Sequence, residues 1–188
     1  MELMMLIQQI LQDDRTAYEI LFRQYKNLVF RTAYLMLGDT HEAEEALQEV
    51  FLQVYKAINS YQPEKGAFST WLYRITANYC KNQLRKRKYL LSSLSWVRET
   101  LWNQSSGSDH QWDHKEPVQK ALKNLSEKVR EVIVLRYYAE MSYVEIAEAL
   151  DIPVGTVKSR LDMGLKMMRK ELEMTYSEPG IDKKEVIK

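Results

Sequence analysis

At 188 residues the chain is long enough for one domain or two small ones, taking roughly 150 residues per domain. Its 45% hydrophobic and 28% charged residues, with only 6 Gly and 4 Pro, exclude a disordered acidic chain and a Gly/Pro-rich fibre. The formal net charge of +1, taken alone, argues against a strongly basic nucleic-acid binder.

Apolar residues recur at three- and four-residue spacings and β-branched alternation is missing, so the pattern predicts an all-α fold. Residues 1–12 carry Leu3, Leu6, Ile7, Ile10 and Leu11 without a preceding basic run, and Gln8, Gln9 and Gln12 interrupt them. This predicts an amphipathic helix, with neither a signal peptide nor membrane insertion. A second helix is expected from about Ala17 to Leu37, with Ile20, Leu21 and Leu28 inward, closed by Gly38 in the left-handed conformation. A third runs from about Thr40 to Ile58, capped by Asp39 or Thr40, with Glu42, Glu44 and Glu45 at the positive end of its dipole. Ala43, Leu47, Val50, Val54 and Ile58 form its apolar face, and Glu42, Glu45, Glu49 and Gln53 line the opposite side. Such a stripe is either a solvated face or a docking surface whose carboxylates steer an Arg-rich partner helix and fix its register.

Pro63 and Gly66 mark Asn59 to Gly66 as a loop, and a fourth helix is expected from a cap at Ser69 or Thr70 to about Lys88. Here the charge inverts. Met1 to Glu64 holds 5 Lys/Arg against 10 Asp/Glu, a net of −5, whereas Lys65 to Leu90 holds 7 against none, a net of +7. Adjacent stretches of opposite sign suggest two partners of opposite charge for one domain. Arg74, Asn78, Lys81, Asn82, Arg85 and Lys88 fall on one helical face, where the cations neutralise phosphates and Asn bonds a base edge or the backbone. Tyr61, Phe68 and Trp71 near Lys65 could offer aromatic faces to an unstacked base, with Trp71 better placed for the core. Cys80, the single cysteine, excludes an intramolecular disulfide framework and a multi-cysteine zinc site, and fits the reducing cytoplasm. Without a nearby His as base it reads as a small, partly buried hydrophobe.

From Ser92 to Pro117 the composition turns to Ser, Gln, Asn, Asp and His, with a net charge of −2 over Leu91 to Pro117; this is the expected flexible linker. Trp96, Trp102 and Trp112 lie in it and are expected to dock on the flanking domains. His110 and His114 have the spacing of paired metal ligands but no nearby Cys, so no metal or other cofactor is expected. Val118 to Lys188 is nearly balanced at +1, with helices expected over Val118–Asn124, Ser126–Tyr138, Ser142–Leu150 and Val154 to about Met174, and a fraying tail from Ser177. In Ser142 to Met168, Ser142 and Glu145 make a capping box, Ile146, Ala147 and Leu150 pack the first helix, and Asp151 to Pro153 form a tight turn. Val157, Leu161, Leu165 and Met168 seat the second helix. This is a helix-turn-helix, whose second helix enters the major groove and would present Thr156, Lys158, Ser159 and Arg160, with Lys166, Arg169 and Lys170 toward phosphates.

In this order the pieces resemble the extracytoplasmic-function group of bacterial sigma factors. HEAEEALQEVFLQVY resembles the segment that binds the clamp helices of the RNA polymerase β′ subunit. FSTWLYRITANYCKNQLRKRK resembles the segment that melts and reads the minus-ten element, and LSEKVREVIVLRYYAEMSYVEIAEALDIPVGTVKSRL resembles the minus-thirty-five-binding domain. The resemblance implies two helical domains, residues 1–91 and 118–175, the second a four-helix, wing-free helix-turn-helix, with a linker over 92–117 and a tail over 176–188. It implies a non-catalytic cytoplasmic subunit that directs core polymerase, held through the β′ clamp helices and β flap, to promoter DNA, under control of an anti-sigma factor.

By the same resemblance, Glu45, Gln48, Glu49 and Gln53 contact polymerase. Ser69, Arg74, Asn78, Lys81, Asn82, Arg85 and Lys88 contact the minus-ten DNA, with the Asn59 to Ser69 loop receiving an extruded base. Thr156, Lys158, Ser159, Arg160, Lys166 and Arg169 contact the minus-thirty-five element. The chain also departs from the family: Asp151 stands where glycine commonly closes the first helix of the motif, and Asn82 where aspartate is frequent. Asp162 and Met163 replace aromatic, His or Arg residues, and Leu165 a frequent Arg, which predicts weaker or altered upstream binding. A helix-turn-helix regulator acting without polymerase would explain Ser142 to Met168 equally well, but leaves the acidic and basic helices of the first domain unexplained.

Overall fold

A computed structural model describes residues 2–93 and 116–177, which form eight α-helices and two short 3-10 turns with no strand among them. The chain divides into two compact units, Met1–Asp109 and His110–Lys188. Trp96, Trp102, Trp112, His110 and His114 lie outside the described residues.

The first unit comprises α1 (Glu2–Leu11), α2 (Arg15–Leu37), α3 (Thr40–Ala57), the turns Ile58–Ser60 and Pro63–Lys65, and α4 (Phe68–Ser93). Local chemistry sets most boundaries. Asp14 Oδ1 accepts from the Thr16 and Ala17 N–H groups at 2.8 and 3.3 Å and starts α2. Gly38, at φ 79°, ends α2 with its N–H donating to the Tyr34 carbonyl at 2.8 Å. Asp39 Oδ1 then accepts from the Glu42 N–H at 2.9 Å and starts α3. Leu21, Val29, Val50, Val54 and Leu72 are fully buried where α2, α3 and α4 meet, and Ile7 and Ile10 seat α1 on them. Ala43, Ala46, Ala77 and Cys80 are buried as well; small side chains at these positions let the helices approach closely.

Two expectations for this unit fail. Ile20 is 50% exposed, because the inward stripe of α2 runs through Ala17, Leu21, Val29 and Ala33 and leaves Ile20 on the far side. The fourth helix starts at Phe68, so Ser69 and Thr70 lie inside its first turn and cap nothing. Burial of Phe68 against Tyr25 and Tyr61, at 5.0 and 5.2 Å between ring centroids, draws the helix start inward. This also removes Phe68 from the aromatic surface open to a base.

The second unit contains α5 (Glu116–Lys123), α6 (Glu127–Tyr137), α7 (Tyr143–Leu150) and α8 (Val154–Ser177). α6 is its central post: every residue from Val129 to Leu135 is buried, and α7 and α8 both pack on it. A helix covered on all sides explains its weak amphipathic pattern. The Ser142 to Glu145 capping box is in place, with Ser142 Oγ accepting from the Glu145 N–H at 3.2 Å and Glu145 Oε2 from the Ser142 N–H at 2.8 Å. Arg136 donates to the Met141 carbonyl at 2.9 Å and lies 5.2 Å over the Tyr143 ring, tying the end of α6 to the start of α7. Asp151 closes α7 at φ 55°, ψ 56°; a non-glycine residue does hold the left-handed position.

The seat of α8 differs by one residue from the expectation. Val157 and Leu161 are buried and Met168 half-buried, but Leu165 is 43% exposed and Gly164 takes its place. A Cβ on Gly164 would lie 2.8 Å from both Val129 and Ile133 of α6, so the two helices meet at van der Waals contact with no room for a methyl. Gly164→Ala is therefore expected to cost about 1–3 kcal/mol by overpacking, although alanine is the better helix former. Thermal unfolding of the full chain followed by circular dichroism should show the second unit melting earlier. An unchanged profile would contradict this helix crossing.

Candidate nucleic-acid interface

The three segments singled out from the sequence become three helical surfaces. On α3, Glu45, Gln48, Glu49 and Gln53 are all exposed and fall within one side of the helix at three- and four-residue steps. Glu45 makes only a weak local pair, 3.5 Å from His41 on the same exposed side. Leu52 and Tyr55, 53% and 46% exposed, stand beside these residues, so the surface is acidic with an apolar component. The sequence pattern placed Ala43, Leu47, Val50, Val54 and Ile58 inward and assigned Leu52 and Tyr55 to neither face. Their helical angle relative to Val50 and Val54 is the signal that separates them. Tyr55 is oriented by a 2.8 Å hydrogen bond to Asp13, which sits at φ 61° in the turn between α1 and α2.

Glu42 does not share this exposed surface. It is half-buried and its carboxylate pairs with Arg87 of α4 at 3.4 Å. Burial pushes its carboxyl above the usual carboxylate range; Arg87 pulls the other way but does not compensate, and Asp39 and Glu45 add to the rise. The pair clasps α4 to α3, leaving Glu44, Glu45, Gln48, Glu49 and Gln53 as the acidic and amide groups facing outward.

On α4, Asn78, Asn82, Arg85 and Lys88 are exposed and Arg74 and Lys81 half-buried, and the six share one side over four turns. Ser69 does not join them. It is half-buried and seven residues, two helical turns, before the fully buried Thr76, so it lies on the inward side. Arg87 likewise points inward, toward Glu42, while Arg85, Lys86 and Lys88 remain exposed. Next to the upper end of the basic face, Tyr61 and Trp71 are half-buried with ring centroids 5.7 Å apart. Tyr61 donates to the Gly66 carbonyl at 3.1 Å, and Gly66 at φ 146° gives the loop a conformation closed to L side chains. The loop over 59–67 is thereby fixed against the start of α4.

On α8, Lys158, Ser159, Lys166 and Arg169 are exposed and Thr156 and Arg160 half-buried. Arg160 reaches α6, donating to the Lys128 carbonyl at 3.4 Å. Ser159 donates back to the Thr156 carbonyl at 3.1 Å, and Lys166 pairs with Asp162 at 2.8 Å on an exposed side. Asp162 thus competes directly for one of the lysines expected to meet phosphate. Among the described residues no group of three or more His, Cys, Asp or Glu is placed to hold a metal, and no helix is long and apolar enough to cross a membrane.

The chain matches the family described as Sigma-70 region 2 over residues 21–89 and that described as Sigma-70, region 4 over residues 115–168. These two regions fall on the unit bearing the acidic and basic faces and on the unit bearing the helix-turn-helix, which defines the class as sigma-type transcription initiation factors. The ECF RNA polymerase sigma factor SigW of Bacillus subtilis is 36% identical over 177 residues, covering 88% of this chain and 94% of that one. The ECF RNA polymerase sigma-E factor of Haemophilus influenzae is 31% identical over 182 residues, covering 89% and 94%. A solved sigma factor, RpoE in complex with the anti-sigma factor NepR from Bartonella quintana, shares the fold at a TM-score of 0.69 and 21% identity, covering 83% of this chain and 96% of that chain. This chain belongs to the extracytoplasmic-function group of RNA polymerase sigma factors.

Proposed function

We propose that the protein confers promoter specificity on core RNA polymerase by bridging two DNA sites through two units on one tether, without making or breaking a covalent bond. The observation that carries this reading is the placement of an outward acidic face on α3 and an outward basic face on α4 within one compact unit, with a helix-turn-helix in the other. Glu45, Gln48, Glu49 and Gln53 would dock the β′ clamp helices, with carboxylates steering association and Leu52 and Tyr55 supplying desolvated contact. Arg74, Asn78, Lys81, Asn82, Arg85 and Lys88 would hold the minus-ten DNA while the loop over 59–67 receives an extruded base, a fixed pocket offsetting the few kcal/mol of unstacking. Ser69, expected among these contacts, is half-buried in the first turn of α4.

Thr156, Lys158, Ser159 and Arg160 would read the minus-thirty-five element, with Lys166 and Arg169 on phosphates and the β flap holding this unit to polymerase. Each DNA contact alone is weak, and the tether raises the effective concentration for the second. The functional boundaries would be 1–91 and 118–175, joined by 92–117. We place the protein in the cytoplasm, with an anti-sigma factor as the natural regulator, by extension from relatives solved with such partners.

Run-off transcription with purified core polymerase and a fragmented genomic library tests the activity and returns the promoter sequence together; no specific transcripts would sink the reading. A regulator acting without polymerase would bind duplex DNA alone and have no use for the α3 face. Within the first unit, Asn78→Ala is expected to impair promoter opening, read by permanganate reactivity, about tenfold more than closed-complex formation. Equal effects on both steps would contradict a melting role for this face.

A further inference from the structure

Four glycines fall among the described residues, and three are explained by the fold. Gly38 closes α2 at φ 79°, Gly66 holds φ 146°, and Gly164 lies where a Cβ would strike Val129 and Ile133 at 2.8 Å. Gly155 is different. It lies in the first turn of α8, outside the left-handed region, is exposed, and a Cβ built on it would meet nothing within 4 Å. Alanine would fit there without touching anything, so packing within the protein does not call for glycine at this position.

Gly155 stands one turn before Lys158 and Ser159 on the same side of the helix, which is the side read above as facing the major groove. We infer that Gly155 is a positioning residue for upstream-element recognition: its bare backbone lets the groove surface come into contact with α8 itself. The inference rests on the reading of α8 as the minus-thirty-five helix.

The magnitudes decide why a single methyl matters. Carbon atoms in contact sit roughly 3.5–4.0 Å apart, and a Cβ extends about 1.5 Å beyond its Cα. A surface touching the Cα of Gly155 must retreat by about that distance to admit a side chain. Hydrogen bonds from Lys158 and Ser159 that start near 2.9 Å would then stretch well past the roughly 3.2 Å at which such bonds hold. The longer side chain of Lys158 can partly follow the DNA; the short hydroxyl of Ser159 cannot. Discrimination at the base pair nearest Ser159 is therefore lost first.

The test uses holoenzyme assembled from the full chain and core polymerase. The probes are the promoter duplex returned by run-off selection and the same duplex with its upstream element scrambled. Gly155→Ala and Gly155→Leu are expected to bind the intact duplex at least tenfold and a hundredfold more weakly than the parent, to match it on the scrambled duplex, and to melt at the same temperature or higher. Equal affinity on the intact duplex, while the parent still discriminates the two duplexes, overturns the role of Gly155 and leaves the reading of α8 intact. A lowered melting temperature overturns it as well, since the glycine would then serve the fold. Failure of the parent holoenzyme to discriminate the duplexes overturns the reading of α8, and this inference with it.

Discussion

Reversing Glu45 and Glu49 to Lys together should weaken assembly with core polymerase at least a hundredfold, about 2.7 kcal/mol, with the fold unchanged. Both side chains are exposed on α3, so the substitution empties no cavity and breaks no buried pair. Its intramolecular cost is small: the like-charge pair Glu45/Glu49 becomes a like-charge Lys pair at the same spacing, and the exposed 3.5 Å contact of Glu45 with His41 is lost, together at most a few tenths of a kcal/mol. At the interface the effect is far larger. In the proposed interface two carboxylates that would face an Arg-rich surface become two ammonium groups, and like charges brought together with partial loss of water cost several kcal/mol. Glu42 serves as the internal control: because it is engaged with Arg87, Glu42→Lys should lower thermal stability before it touches assembly. Fluorescence anisotropy against core polymerase over a salt series separates the two effects. Undiminished assembly of the Glu45/Glu49 double variant would remove α3 as the polymerase surface.

The second large effect is expected on α8. Replacing Lys158 and Arg160 with Ala should abolish transcription from promoters that depend on the upstream element, leave assembly with core polymerase intact, and reduce the salt dependence of upstream binding by about 2 in log-log slope. The two residues do not contribute alike. Lys158 is exposed and acts as a charge that DNA can take up, whereas Arg160 is half-buried and already held by the Lys128 carbonyl. Lys158→Ala alone should therefore be silent in thermal unfolding, and Arg160→Ala, which gives up only a long, exposed 3.4 Å contact to α6, should lower stability by no more than about 0.5 kcal/mol. Loss of polymerase assembly in the double variant would show that the two units exchange the roles given to them.

The helical architecture was legible because its punctuation is chemical. Gly38, Asp39, Ser142 and Asp151 each mark a helix end by a hydrogen bond or a left-handed φ, and each stands where the pattern of residues puts it; Asp14, which caps α2 two residues before the expected start at Ala17, was not read from the pattern. What periodicity could not see is what lacks hydrophobicity. Gly164 carries no side chain to score, so the stripe on α8 was completed with its neighbour Leu165, which faces water. Arg87 sits in a run of cations and counts as surface until its neighbour Glu42 is found across the helix pair. Ser69 has the chemistry of a cap but follows Phe68, whose burial outweighs the roughly 1 kcal/mol a cap supplies. The two opposite faces of the first unit were visible as charge blocks; only the packing shows which members of each block point outward.

The pairing of helices in the first unit has a consequence for how the protein is made. α1 packs on α2, and α2, α3 and α4 pack on one another, all within residues 2–93. Such short-range helical pairings fold in roughly microseconds to milliseconds, whereas a ribosome adds about 5–20 residues per second. The first unit can therefore complete its core while the helix-turn-helix is still being synthesised, so the acidic face of α3 exists as a formed surface before the chain has any means of reading an upstream element.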